Sequence, residues 1–148
     1  MKLPSNKVIL LVEDCPEDYE ATMRAFKRSN LKNPIFRCKD GQEALDYLYH
    51  KNQFEDRDRF PKPCIILLDL NLHKVDGKEV LLKIKSDKEI KSIPVIVLTT
   101  SDDEIDIQKC YEYGANCYIQ KPVDLLKFFD AIQKLSEYWF EVALLLKE

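Results

Sequence analysis

Runs of aliphatic residues punctuate the chain, and each stops at a polar side chain. Ile65-Ile66-Leu67-Leu68 ends at Asp69, Val8-Ile9-Leu10-Leu11-Val12 at Glu13 and Asp14, and Val95-Ile96-Val97-Leu98 at Thr99. Four or five apolar residues with no polar one among them predict a strand covered on both faces. A fourth stretch, Cys117-Tyr118-Ile119-Gln120, leads into Lys121, and a fifth, Ile35-Phe36-Arg37-Cys38, is short and mixed. Because an unpaired buried charge is costly, Asp69 is expected where its strand emerges from the core. In an open parallel sheet that carboxyl end is where ligands bind. Side by side, these strand ends would gather three carboxylates, a hydroxyl and an ammonium in one crevice.

Between the strands the apolar pattern becomes helical. Asp14-Cys15-Pro16 opens a helix whose Ala21, Met23, Ala25 and Phe26 supply a buried side, and Asn33-Pro34 ends that region. Asp40-Gly41-Gln42-Glu43 has the spacing of a capping box ahead of Ala44, Leu45, Leu48 and Tyr49. Asp76-Gly77-Lys78-Glu79 and Ser101-Asp102-Asp103-Glu104 repeat that spacing, and Asp124 is placed to cap a last helix with no breaker before Glu148. Lys51 to Pro63 carries seven charged residues and two prolines without a period, so a loop or an extended helix end is expected there. Strands alternating with helices predict one α/β domain over residues 1–148, with a doubly wound, five-stranded parallel sheet and helices on both faces. The long C-terminal helix would run over about 124–146. The three continuously apolar strands should be central, and those starting at Ile35 and Cys117 should form the edges.

Composition narrows the function. A net charge of −3 and the lack of a basic run argue against a nucleic-acid binder. Aliphatic stretches of about five residues fall far short of the ~20 needed to span a bilayer, and the first residues lack the apolar core of a signal peptide. Five cysteines without a C-x-x-C pair read as small buried residues in a reducing cytoplasm.

The crevice then acquires a chemistry. Two like charges 4 Å apart repel by about 4 kcal/mol at an effective dielectric near 20. Glu13, Asp14 and Asp69 could not all stay ionised there unaided, so either a pKa rises or a divalent cation binds. An all-oxygen set with no His or Cys at the strand ends suits magnesium. Carboxylates beside such a cation, with Lys121 and Thr99 nearby, suit phosphoryl transfer, with Asp69 as a possible nucleophile. The alternative is that these acids cap helices on a solvated surface.

With these residues in place, the chain resembles a response-regulator receiver domain over nearly its whole length. The resemblance is carried by Glu13-Asp14 after the first strand, Asp69 in L-L-D-L-N-L, Asp76-Gly77, Thr99, Tyr118 and Lys121-Pro122. Among receivers it is most similar to the small single-domain regulators of cyanobacterial phytochromes. The charged insert before the third strand, D-L-N-L at the acceptor and the aromatic tail Tyr138-Trp139-Phe140 carry that narrower likeness. The resemblance implies a flavodoxin-like strand order 2-1-3-4-5 and a stand-alone regulator in which Asp69 accepts a phosphoryl group from a histidine kinase, a phytochrome being the expected one. It implies that Asp14 and Asp69 ligate Mg2+ by side chains and Asn71 by its carbonyl, with Glu13 acting mostly through water. Thr99 would donate to a phosphoryl oxygen, Lys121 would pair with Asp69 or its phosphate, and Tyr118 would swing inward as Thr99 moves. The signal would leave through the face of the fourth helix, fifth strand and fifth helix. A cis Lys121–Pro122 bond is expected to aim the lysine.

Two positions depart from the family pattern: His73 stands where proline is usual, and Thr100 where a small residue is usual. Two other functions compete. A phosphohydrolase with an aspartyl nucleophile would want a second Asp where Asn71 stands, and a receiver-like module that is never phosphorylated would not need Asp69, Thr99 and Lys121 together. No segment is left for an attached output domain, so the expected downstream target is another protein.

The tail predicts self-association. Phe128, Phe129, Ile132, Leu135, Trp139, Val142 and Leu146 form one helical stripe facing the domain. Tyr138, Phe140, Leu144 and Leu145 lie outside it, an apolar surplus that a two-fold homodimer would cover.

Overall fold

A computed structural model describes residues 7–142, with side chains through Phe140. Five strands, β1 (Ile9–Val12), β2 (Ile35–Cys38), β3 (Ile65–Leu68), β4 (Val95–Thr99) and β5 (Cys117–Gln120), alternate with five helices. The helices are α1 (Pro16–Arg28), α2 (Gly41–Leu48), α3 (Gly77–Lys85), α4 (Glu104–Glu112) and α5 (Leu125–Ser136). All pairings are parallel and the strand order is β2-β1-β3-β4-β5, as expected. Every residue of β1, β3 and β4 is buried, whereas β2 and β5 are only partly covered. The apolar runs therefore mark the centre of the sheet.

Alternation along each central strand divides the core in two. Leu10, Val12, Ile66, Leu68 and Val97 face α2 and α3, packing with Ala44, Leu48, Leu81 and Ile84. Ile9, Leu11, Ile65, Leu67 and Ile96 face α1 and α5, packing with Phe26, Phe128 and Ile132. The insert after α2 is loop with one short 3-10 turn (Asn52–Phe54), and it is anchored by aromatics. Phe54 and Phe60 pack edge-on, with ring centres 5.0 Å apart, and both lie against Tyr47.

Capping follows the sequence at two helices and departs from it at two. Asp40 accepts from Glu43 N at 2.8 Å while Glu43 takes the backbone N–H of Lys39, and Asp124 accepts from Leu126 N at 2.8 Å. Asp76 is the N-cap of α3 but makes no side-chain cap bond. At α4 the cap is Asp103, not Ser101: Asp103 Oδ1 accepts from Ile105 N at 2.9 Å, while the Ser101 hydroxyl accepts from Asp103 N and donates to Asp106 Oδ2 at 2.8 Å.

The largest correction falls on the last helix. After Ser136 the winding widens to a π-helix over Glu137–Val142. A π turn closes i to i+5 rather than i+4. Counting five from Leu135, it is Phe140 that turns to the core. Phe140 is 3% exposed and its ring lies 6.1 Å from that of Phe26. It therefore cannot belong to the outward dimer surface assigned to it from the sequence. Trp139 is half-buried and Tyr138 remains exposed, while Leu144 and Leu145 lie outside the described residues.

Candidate functional site

The strand register brings the polar strand ends together. Val12 pairs with Leu68 and Leu68 with Val97, so the residues that follow emerge in one row. Asp69 N donates to Val12 O at 3.1 Å, and Lys121 N to Thr99 O at 2.6 Å, extending the ladder one step past the strands. Glu13, Asp14 and Asp69 each offer a carboxylate oxygen, and these lie within 4.8 Å of one another. Glu13 and Asp69 are buried and Asp14 is partly exposed.

Lys121 enters from the edge and is 5% exposed. Its ammonium bonds tightly to Glu13 Oε1, lies 3.2 Å from Asp18 Oδ2 and 3.7 Å from Asp69 Oδ2. It reaches them across a trans peptide, since no bond among the described residues is cis. The expected cis Lys121–Pro122 bond is thus absent. The backbone bond to Thr99 already fixes where the lysine starts.

Burial drives the charges apart in pKa. Desolvation is the main influence on Glu13 and pushes its carboxyl up to about 7, with Lys121 opposing and Asp69 reinforcing the shift. Burial works against the Lys121 charge as well, but Asp69 and Glu13 outweigh it and hold the ammonium above the usual lysine range. Three carboxylates at this spacing, two of them buried and only one ammonium among them, fit a hard divalent cation. Beside them, Thr99 Oγ1 is buried without a protein hydrogen-bond partner. Such a group is normally satisfied, and this one suits an incoming oxygen.

The remaining predicted positions differ in their exposure. Tyr118 is already turned inward, packed on the α2–α3 side of the core, with its hydroxyl on Ser101 O at 2.9 Å. Thr100 is exposed and lines a cavity beside Lys121. Asn71 is exposed, and its N–H approaches Asp69 Oδ1 at 3.4 Å. His73 is exposed in the loop, yet its Nδ1 lies 2.7 Å from Asp14 Oδ2.

Two neighbours of the site were not singled out in the sequence. Asp18 lies in the first turn of α1, and its Oδ2 reaches the Lys121 ammonium at 3.2 Å. Arg37, a lone cation in the edge strand, donates from Nε to Glu13 O at 3.1 Å and stacks over Tyr19 at 4.4 Å. It ties the backbone of the acidic pair to β2.

A parallel 2-1-3-4-5 sheet with this constellation at its carboxyl edge is the architecture of a receiver-type signalling domain, and the comparisons agree. The model of the response regulator receiver domain matches residues 9–133, and the chain belongs to that family. It is 40% identical to the response regulator Rcp1 of Synechocystis sp. over 139 residues, covering 94% of this chain and 92% of that protein. Among solved structures it superposes on the phosphorylated cyanobacterial phytochrome response regulator RcpA with TM-score 0.89 at 39% identity, covering 96% and 99% of the two chains. The Mn(2+)-bound form of Rcp1 matches with TM-score 0.89 at 40% identity, covering 95% and 99%. The protein is a response regulator of a phosphorelay. Among the described residues no helix is long and apolar enough to cross a membrane.

Proposed function

We propose that Asp69 is the phosphoacceptor and that the phosphoryl group comes from the histidine of a phytochrome-type kinase in the cytoplasm. The observation that carries the acceptor assignment is the gathering of a buried Asp69, two further carboxylates and an unpartnered Thr99 hydroxyl at the carboxyl edge of the sheet. The phytochrome link is supported by the likeness to Rcp1 and RcpA over nearly the whole chain. An Asp69 carboxylate oxygen attacks phosphorus, the new P–O bond forms as the P–N bond to the kinase imidazole breaks, and the departing imidazole takes up a proton. Lys121 follows the charge onto the phosphoryl oxygens, and Thr99 donates its hydroxyl to one of them. A bound Mg2+, held by Asp14 and Asp69 with the Asn71 carbonyl, would neutralise the charge that builds on those oxygens. The same group would be lost when water attacks phosphorus, so the domain would assist its own dephosphorylation. The output would pass through Tyr118 to the surface of α4, β5 and α5.

The test is phosphotransfer from candidate histidine kinases, including a phytochrome under red and far-red light. Label should reach this protein at a rate that changes with the light. Transfer indifferent to light would remove the phytochrome while leaving the regulator.

The acidic pair should divide its labour. Asp14→Ala removes a direct ligand and should weaken Mg2+ binding by about 100-fold or more. Glu13→Gln keeps the shape of an outer-shell partner and should cost about ten-fold, measured by calorimetric titration. The reverse order would make Glu13 the direct ligand. A two-fold homodimer through the last helix is a secondary proposal, supported among the described residues by the exposed Tyr138. Sedimentation equilibrium of wild type and Tyr138→Glu checks it, and a wild type that stays monomeric at tens of micromolar with or without phosphodonor dismisses it.

A further inference from the structure

The Lys121 ammonium has three donor N–H groups and three carboxylates within reach. Two of its partners are bonded: Glu13 on β1's end and Asp18 on α1 at 3.2 Å. Asp69, where charge must be neutralised once a phosphoryl group arrives, is the farthest at 3.7 Å. The lysine therefore rests on the α1 side of the crevice and has to move to serve the acceptor.

We infer that Asp18 is a positioning residue for phosphoryl transfer, holding Lys121 away from Asp69 and competing for it with the phosphoryl group. The inference rests on Asp69 being the acceptor. Glu13 cannot play this part alone, because it is fully enclosed and belongs to the carboxylate trio. Asp18 stands outside that trio, and its side chain is 43% exposed. Space for the movement is present. A cavity of about 250 Å³ opens beside the pair, with Asp18, Ala21, Thr100, Lys121 and Pro122 among its walls. Asp18 lies in the first turn of α1, where an acid also favours the helix dipole, but it does not cap the helix. The cap of α1 is Cys15, and the bond that Asp18 accepts from the Thr22 hydroxyl uses its backbone carbonyl, not its side chain. When the ammonium leaves for the phosphoryl oxygens, Asp18 is left as an uncompensated carboxylate at the cavity mouth. Phosphorylation thus changes the charge of the surface between α1 and the start of α5, as well as that of the acceptor.

The experiment compares wild type, Asp18→Asn and Asp18→Glu for binding of beryllium trifluoride, an analogue of aspartyl phosphate, at saturating Mg2+. Removing the competing charge should tighten analogue binding by about three-fold, the scale of a partly exposed ion pair. Asp18→Glu, which restores the charge, should fall back toward wild type, and Mg2+ alone should bind Asp18→Asn no more tightly than wild type. A purely structural role would move both affinities down together. Unchanged or weaker analogue binding by Asp18→Asn overturns the proposal, as does equal tightening by Asp18→Glu. Should Asp18→Asn fail to fold, the Asp18 carboxyl carbon resonance of wild type decides. It should shift on analogue binding as the ammonium departs, and a fixed resonance overturns the proposal. A wild type that binds no analogue at all overturns the acceptor assignment instead, and this inference with it.

Discussion

Asp69→Asn is expected to abolish phosphorylation by a small-molecule phosphodonor in Mg2+, read as the loss of the phosphoryl adduct in the intact mass. The substitution keeps the shape of the side chain while removing the carboxylate that attacks phosphorus. The surroundings leave no substitute nucleophile with the same geometry. Glu13 is enclosed and bonded to Lys121, and Asp14 is engaged by His73 at 2.7 Å, whereas Asp69 keeps a carboxylate oxygen 3.7 Å from Lys121 at the end of the central strand. The fold should survive. One negative charge is withdrawn from a cluster of three carboxylates, which relieves repulsion among them. Near-wild-type circular dichroism with no adduct is the expected pair of results. An adduct that persists in the folded mutant would move the acceptor elsewhere.

The second large effect is on stability, and it comes from two glycines at helix starts. A methyl group on Gly77 would stand 2.4 Å from Asp69 O and 2.5 Å from Leu70 Cα, and one on Gly41 would stand 2.0 Å from Val75 O. These obstacles are backbone, which cannot step aside as a flexible side chain can. An alanine would ordinarily improve a helix by up to about 1 kcal/mol. Here the overlap should dominate and cost about 3 kcal/mol or more, the upper range for overpacking. For a chain of this size that lowers Tm by roughly 6–12 °C. Gly77→Ala should additionally slow phosphorylation, because the carbonyl it strikes belongs to the acceptor residue. A Tm within about 2 °C of wild type for both variants, on the same scale, would show that the loops yield freely.

The sheet was legible in the sequence because its three central strands are buried on both faces and therefore read as unbroken aliphatic runs. The same property made their ends legible, since Asp69, Glu13 and Thr99 are the first polar groups after those runs. What failed to show was whatever arrives from another element. Asp18 and Arg37 reach the crevice from α1 and the edge strand, and only the packing of α1 on the sheet and the pairing of β2 with β1 bring them there. Caps were half legible. The spacing at Ser101 matched a capping box, but the helix starts two residues later and Asp103 takes the cap, with the Ser101 oxygen accepting from Asp103 N instead. The aromatic tail was misread because an α-helical period was carried through a segment that does not keep it.

That widened turn sets a narrow condition on the end of the molecule. With α-helical winding after Leu135, Trp139 would follow four residues later over the sheet; the π winding gives that place to Phe140. In evolutionary terms the difference between the two arrangements is one residue of length. A single deletion between Glu137 and Trp139 would carry the phenylalanine into the α-helical register and close the turn without widening it. An insertion of one residue would instead rotate the ring off Phe26 and out to solvent. Whether such a tail seals its own domain or reaches for a neighbour's is therefore a matter of spacing more than of composition, and relatives with the same aromatic residues need not share the same assembly.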